Sequence, residues 1–380
     1  MADDYARHAL SQRASFEATH PAVLAAAERF TDEPVLRVAD LGAADGVNSH
    51  GLIRDLADLR AGRPLIYALV DLPTNAWGVA AAHLRDSFGS AAVVIPAPGE
   101  AGPEVADAGT GAHYAMPETH GEACRRALDR DSAPATVVSM AGIPLHQAPS
   151  LPPGTVHVAV SGTCMHWVPD AVDLAVSGSI FPGHPNHVND DERRAWRIAA
   201  ARNWERLLEM RAVELAPGGS FIAAIPASTA PCPHRTGLYD EIIGQMNSLL
   251  ADWCRAGRIS DATVAAAVVP VWARTIDEFR APFEAGGGRF AGLELESAEL
   301  FRLDNPYWHD DPAVFAREYV LSVAAWGGPL LLRAFAHEGE ARAAGLLAEF
   351  FGELEQRVAD APDRYRWDYV EALVICRKAE

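Results

Sequence analysis

Short β-branched runs, each closed by an acidic residue, Gly or Pro, recur between stretches of helical period, and this rhythm constrains the fold more than any other feature of the chain. Val35-Leu36-Arg37-Val38-Ala39 reads as a strand ending at Asp40, and Ile66-Tyr67-Ala68-Leu69-Val70 as a second ending at Asp71. Val93-Val94-Ile95, Thr136-Val137-Val138-Ser139 and Val156-His157-Val158-Ala159-Val160 continue the series. Strands that alternate with helices pair in parallel through crossover connections, so the expected class is α/β. A length of 380 residues allows one large or two unequal domains.

The second half departs from the simple repeat. A long helix is expected to open near Asn189 or Asp190, where Asn-Asp-Asp-Glu supplies a cap and N-terminal negative charge, and to run to about Leu215 before Pro217-Gly218-Gly219 stops it. Phe221-Ile222-Ala223-Ala224-Ile225 follows as a strand. From Tyr239 to about Ala266 the apolar positions Ile242, Ile243, Met246, Leu249, Leu250 and Trp253 repeat with helical period, an insertion before the sheet resumes at Leu293-Glu294-Leu295. More helix is expected from Ala313 to about Val358, and Tyr369 to Ile375 closes the chain as a strand. Helices inserted there are expected to form a lid over the cofactor edge. The Gly- and Pro-rich stretch from Pro96 to Thr119 reads as a flexible loop, and no internal repeat is present.

Composition narrows the partners. A net charge of −19 repels a phosphate backbone or an anionic lipid surface, so neither nucleic acid nor membrane is an expected partner. The opening MADDYARHAL lacks the basic and apolar regions of a signal peptide, and no apolar run approaches the roughly 18–20 residues that span a bilayer. A cytoplasmic location is expected. Cys124, Cys164, Cys232, Cys254 and Cys376 form no CxxC pair and no zinc spacing, and are read as reduced thiols, with Cys164 as a small semi-buried hydrophobe.

Chemistry is expected directly after the first strand, in Asp40-Leu41-Gly42-Ala43-Ala44-Asp45-Gly46-Val47-Asn48. Gly42 and Gly46 let the backbone turn sharply at the carboxyl end of a strand, where open α/β sheets bind ligands. The segment is not GxGxxG and no P-loop is present, so a dinucleotide or ATP pyrophosphate is poorly served. An acidic residue at the end of strand one suits a cofactor carrying a cationic ammonium, and Asp71 can accept hydrogen bonds from both hydroxyls of a ribose. The pair describes S-adenosylmethionine; the competing reading is that both aspartates only cap helices.

Further residues carry a resemblance. Tyr5-Ala6 with Gln12, ADLG with Gly46 and Asn48, Asp71-Leu72-Pro73 followed by Asn75, and Ser161 to Trp167 (SGTCMHW) occur in order. Downstream come Trp204 to Gly219 (WERLLEMRAVELAPGG) and the inserted helix ending in Ala256-Gly257-Arg258-Ile259. Over nearly its whole length the chain resembles the SABATH family of small-molecule methyltransferases. The resemblance implies a Rossmann-like methyltransferase sheet with an inserted, mainly helical cap over the active site. Residues 1–235 and 285–380 would form the cofactor-binding core, and 236–284 with parts of 305–360 the cap. It implies that Tyr5, Gln12, Asp40, Gly42 and Asn48 surround the methionine end of the cofactor, and that Asp71 and Leu72 hold ribose and adenine. Gln12 and Trp167 are similar to the pair that clamps a substrate carboxylate, with His166 beside them; Ile242, Ile243, Met246 and Trp326 are expected in the substrate pocket. A homodimer is the expected assembly.

Departures from the family matter too. The chain between Asp71 and Val156 is longer than in plant members, and no clear GSFY segment identifies the adenine contact; Pro98-Gly99-Glu100 or Pro144-Leu145-His146 takes that place. Ile243 stands where salicylate-type members carry an indole, beside Ile242, so the slot for a flat acid is altered. The stretch matching the family's magnesium pattern is Ala265-Ala266-Ala267-Val268, with Val176 upstream, so no metal is expected. The activity implied is methylation of the carboxylate of a small, aromatic or heterocyclic acid. A carboxylate is already ionised at neutral pH and needs no base. The alternatives are N- or O-methylation of a heterocycle or phenol, in which His166 acts as base or orients the ring, and a non-catalytic S-adenosylmethionine-binding partner protein. A nicotinamide oxidoreductase is disfavoured by the missing fingerprint.

Overall fold

The computed structural model of the protein describes residues 8–95, 136–174, 176, 179–182, 189–229, 238–284, 290, 292–366 and 368–380. The expected loop at Pro96 to Thr119, Tyr5, Cys124 and Cys232 lie outside them. In chain order the principal elements are α1 (Leu10–Glu17), α2 (His20–Glu28), β1 (Leu36–Leu41), α3 (His50–Arg60), β2 (Leu65–Asp71), α4 (Trp77–Phe88), β3 (Ala92–Ile95), β4 (Thr136–Gly142) and β5 (Val156–Gly162). Then follow α5 (Asp190–Glu214), β6 (Leu215–Pro226), α6 (Leu238–Arg255), α7 (Asp261–Ala266), α8 (Ile276–Glu284), β7 (Leu293–Leu303), α9 (Pro312–Phe335), α10 (Glu340–Asp360) and β8 (Tyr369–Lys378).

The strands form one sheet in the order β3-β4-β2-β1-β5-β6-β8-β7. The first six in that order are parallel, and β8 runs antiparallel between β6 and β7. From β1 the chain winds outward to β2, then returns to place β5 on the other side of β1. The winding therefore reverses between β1 and β5, and such a switch leaves a crevice beyond the carboxyl ends of the strands. The α/β, Rossmann-like expectation holds, and the strand carboxyl ends become the place to look for a site.

Local chemistry explains the helix boundaries. Asn189 Oδ1 accepts the Glu192 backbone N–H at 2.9 Å, and Asp190, Asp191 and Glu192 place negative charge in the first turn of α5. The helix passes straight into β6 at Leu215, so Pro217-Gly218-Gly219 falls inside the strand instead of stopping the helix. The two long helical stretches expected downstream are each divided. Ser260 caps α7 through the Thr263 N–H after a break at 256–260, and Gly339, at φ +106°, separates α9 from α10.

Apolar burial divides into a few clusters. On one sheet face Leu36 and Val38 pack with Phe16, Val23, Leu52, Ile53 and Leu84 of the first four helices. On the other, Ala39 and Leu41 pack with Trp204, Leu207 and Leu208 of α5 and Phe279 of α8. A third cluster, beyond the sheet, joins α6, α9 and α10 through Ile243, Met246, Trp253, Tyr319, Phe335 and Phe350. Contrary to expectation, one stretch, Pro312–Glu338, is long and apolar enough to cross a bilayer by length and composition, and half of its most apolar part is buried inside the protein. Cys164, Cys254 and Cys376 are free thiols.

Candidate active site

The loop that leaves β1 turns through three left-handed residues, Gly42 (φ +84°), Ala44 (φ +49°) and Gly46 (φ +73°). A Cβ on Gly42 would lie 2.6 Å from Cβ and Sγ of Cys164, so only glycine fits. The loop is stitched to β2. Gly42 N–H donates to Val70 O at 2.8 Å, Ala44 N–H to Asp71 Oδ2 at 2.7 Å, and Asn75 Nδ2 to Ala44 O at 2.5 Å. Leu72 N–H donates to Asp71 Oδ1 at 2.7 Å. Each Asp71 oxygen thus keeps one lone pair for a ligand. Burial pushes the Asp71 pKa up, while the two backbone N–H bonds oppose the shift.

Beyond these strand ends lies a cleft of about 700 Å³. Gly42, Asp45, Asp71, Leu72 and Gly162 line one side, and Leu321, Ala324, Ala325 and Pro329 of the apolar helix α9 form the opposite wall. Leu72 is 52% exposed there, an apolar surface at the place expected to meet a flat base.

Asp40 requires a correction. Strand β1 extends to Leu41, so Asp40 lies within the sheet on the same face as Leu36 and Val38 rather than beyond its edge. It is 2% exposed, and its Oδ2 accepts Ser49 Oγ–H at 2.5 Å and Tyr67 O–H at 3.0 Å. Burial raises its pKa to about 7. Asp40 is not among the residues lining the cleft, where the acidic groups are Asp45 and Asp71. Asn48 does not line it either; its Oδ1 faces Arg13 Nε at 3.4 Å. Of the two candidate adenine segments, Pro98-Gly99-Glu100 lies outside the described residues, and Leu145 and His146 are buried away from the cleft, with His146 Nδ1 3.2 Å from Asn203 Nδ2.

A second, smaller pocket of about 200 Å³ opens from the cleft. The two share Thr163 and Trp167. Gln12 from α1, His166, Trp167, Ile243 from α6 and Trp326 from α9 all line it, so residues far apart in sequence converge there. Among the described residues no acceptor meets the Trp167 indole N–H or the Gln12 amide N–H, leaving both donors available; Gln12 Oε1 is held by Ser11 Oγ–H at 2.9 Å. Two expected residues fall elsewhere. Ile242, turned away from Ile243 as the adjacent position on the helix, lines a small adjoining cavity, and Met246, which shares the face of Ile243, is enclosed in the cap cluster.

Behind His166 lies a buried cation. The Arg274 guanidinium donates to Met165 O at 2.9 Å, to Ala200 O at 2.7 Å and to Asn203 Oδ1 at 3.3 Å. Trp272 N–H donates to His166 O at 2.9 Å, so the segment carrying Arg274 braces the wall that carries His166 and Trp167. Burial, with Arg274 adding to it, lowers the His166 pKa to about 3. The imidazole is therefore neutral at any working pH.

Sequence reasoning passed over Thr163 and Phe181. Thr163 sits at φ +50°, a conformation costly for a β-branched residue, at the junction of the two cavities. It lies inside the Ser161 to Trp167 motif, which marked the segment without singling this residue out. Phe181 carried no periodic signal. Among the described residues no group of three or more His, Cys, Asp or Glu is placed to hold a metal ion.

The sequence matches no family model, and no curated protein is similar to it. Similarity is found among solved structures. A loganic acid methyltransferase with SAH superposes over 100% of this chain and 97% of its own, with a TM-score of 0.69 at 14% identity, and shows that the two share a fold. The [4+2]-cyclase SpnF (TM-score 0.34, 11% identity, 93% of this chain and 82% of its own) and the cyclopropane synthase MmaA2 from Mycobacterium tuberculosis (TM-score 0.35, 11% identity, 90% and 78%) are more distant and add nothing to the argument.

Proposed function

We propose that the protein is an S-adenosylmethionine-dependent methyltransferase that esterifies the carboxylate of a small acid. The observation that carries this reading is the pair of cavities meeting at Thr163 and Trp167, one with strand-end Asp71, the other with two available N–H donors. The cleft fits the cofactor. Its glycine turn at Gly42 admits close approach, Asp71 retains acceptor capacity for ribose hydroxyls, and exposed Leu72 offers an apolar contact for adenine. The likeness in fold to a loganic acid methyltransferase supports the same reading.

When bound, S-adenosylmethionine supplies a methyl group on a cationic sulfonium, open to in-line displacement. The chain's own contribution is then positional. Gln12 and Trp167 would donate to the substrate carboxylate and orient it toward the shared mouth of the cavities, where a methyl group would be presented. The apolar side chains of Ile243, Phe181 and Trp326 exclude water. Donors to the carboxylate favour the charged ground state slightly over the less charged transition state, so positioning must outweigh that cost.

His166 favours a carboxylate over a phenol. A phenol, with a pKa near 10, would have to hand its proton to a base, and burial makes the His166 imidazole a weak one. A carboxylate demands no such transfer. The test is a panel of small aromatic, indolic and aliphatic acids incubated with labelled S-adenosylmethionine, alongside calorimetry with S-adenosylhomocysteine. Label in a base-labile ester is expected. Base-stable product would move the acceptor to nitrogen or a phenol, and absence of S-adenosylhomocysteine binding would overturn the whole reading.

A further inference from the structure

Glu371 of β8 is 1% exposed and lies beneath the substrate pocket, paired in register with Pro226, which lines that pocket. Its Oε2 accepts the hydroxyl of Ser15, on α1. Its Oε1 is buried with no hydrogen-bond partner. Such an oxygen is poorly tolerated on an ionised carboxylate, whose charge needs every acceptor site met. Ser15 and Gln12 are three residues apart on one helix, hence on adjoining parts of one face.

We propose that Glu371 is a positioning residue: as a neutral carboxylic acid it seats α1 on the sheet through Ser15, and so presents Gln12 to the substrate. This rests on the reading of Gln12 as a substrate donor. Other contacts fix the rest of α1. Tyr307 O–H donates to His8 O at 2.7 Å and accepts Ser11 N–H at 3.2 Å, and Phe16 lies against Gly162. Within Leu10–Glu17 the Glu371 contact depends on a proton, and just before the helix His8 Nδ1 lies 3.5 Å from Glu318 Oε2.

No charge competes for that proton. Of the elements packed around Glu371, β6 carries no ionisable side chain, and Phe301 is its partner on β7, whose Glu299 and Arg302 are exposed. On α1, Glu17 is exposed and Arg13 is turned to Asn48. Burial, opposed only by the Ser15 hydrogen bond, raises the Glu371 pKa to about 8. Between the ordinary carboxyl value of 4.5 and about 8, seating should weaken by up to tenfold per pH unit, because release of α1 lets the carboxyl ionise in water, and above about 8 the loss levels off.

The experiment compares wild type, Glu371→Gln and Ser15→Ala by amide hydrogen exchange across residues 10–17 at about pH 5 to 9, corrected for intrinsic rates, and by substrate KM over the same range. Wild type should lose protection in α1 as pH rises from about 5 toward 8 and level off above that, while β1 is unaffected, and KM should rise with kcat at saturation nearly constant. Glu371→Gln, which keeps the shape and cannot ionise, should hold both flat. Ser15→Ala should loosen α1 already at about pH 5, where the contact in wild type is strongest. Identical pH dependence in wild type and Glu371→Gln, or unchanged protection in Ser15→Ala, overturns the proposal. If no acid proves to be a substrate, the reading of Gln12 fails on the KM arm alone, while exchange still decides whether Glu371 seats α1.

Discussion

Asp71 accepts two backbone N–H bonds at 2.7 Å and retains a lone pair on each oxygen, so a bound ribose would add bonds to an acceptor that is already fixed in place. Asp71→Ala is expected to weaken S-adenosylhomocysteine binding by roughly 1.5–3 kcal/mol, the usual worth of hydrogen bonds to a charged group, with unchanged affinity in calorimetry as the contrary result. Trp167 stands at the other cavity with an indole N–H that no described residue accepts. Trp167→Phe keeps the ring and removes the donor. Substrate KM should rise several-fold and kcat fall, while S-adenosylhomocysteine affinity barely moves; steady-state kinetics beside calorimetry separates the two sites. Asp40 shows why residue type alone misleads here. It stands one position short of the strand's end, and that single position, not its chemistry, places it between Ser49 and Tyr67 in the sheet.

At the scale of elements, α1 depends on a bare sheet surface. A Cβ on Gly162 would come within 3.0 Å of Phe16 Cβ and Cδ2 and 3.2 Å of its Cα, so the helix backbone itself would have to move. Gly162→Ala should cost roughly 1–3 kcal/mol of stability, as overpacking does, read from denaturant melts. Most elements were legible because their signals are local. β-branched runs mark β1 to β5, and Asn189 with its acidic successors marks the start of α5. The inserted helix ends at Arg255, beside the Ala256-Gly257-Arg258-Ile259 end that the resemblance implied, although periodicity alone ran on to Ala266; the break at Gly339 was missed because Phe335 to Glu340 carry ordinary helix formers around the glycine, and tertiary packing decides where the chain turns. The site was half legible. Gln12, His166 and Trp167 converge as the motifs suggested, whereas Ile242 is set apart from Ile243 by helix phase, which a run of adjacent apolar residues does not reveal, and Met246, on the face of Ile243, is covered by the packing of the cap. The wall supplied by α9 has no motif at all.

For the whole molecule, buried titratable groups oppose one another. Burial lowers His146 and His166 to about 3 and His50 and His157 to about 4. The stability they contribute is present above the unfolded value of 6.5 and is lost as pH falls below it. Asp40 and Glu371 run the other way, raised from 3.8 and 4.5 to about 7 and about 8. Their contribution is full below the unfolded values and is lost as pH rises through the folded ones. Urea melts at closely spaced pH should therefore place maximum stability at about pH 6–7, declining toward 5 and toward 8; a plateau across that range would show that these groups are not buried as described.

The strand order has a consequence for synthesis. β8 enters between β6 and β7, so β7 has no partner in the sheet until nearly all of the chain has been made. Ser15 meets Glu371 across 356 residues of sequence. The strands around the β1–β5 crevice can assemble while the ribosome is still working, since β1, β2 and β5 need nothing from the carboxyl-terminal third. Helix α1, made among the first elements, must wait for among the last. The nascent chain can thus assemble the strand ends around Asp71 before α9 closes the cleft and before β8 brings Glu371 to Ser15.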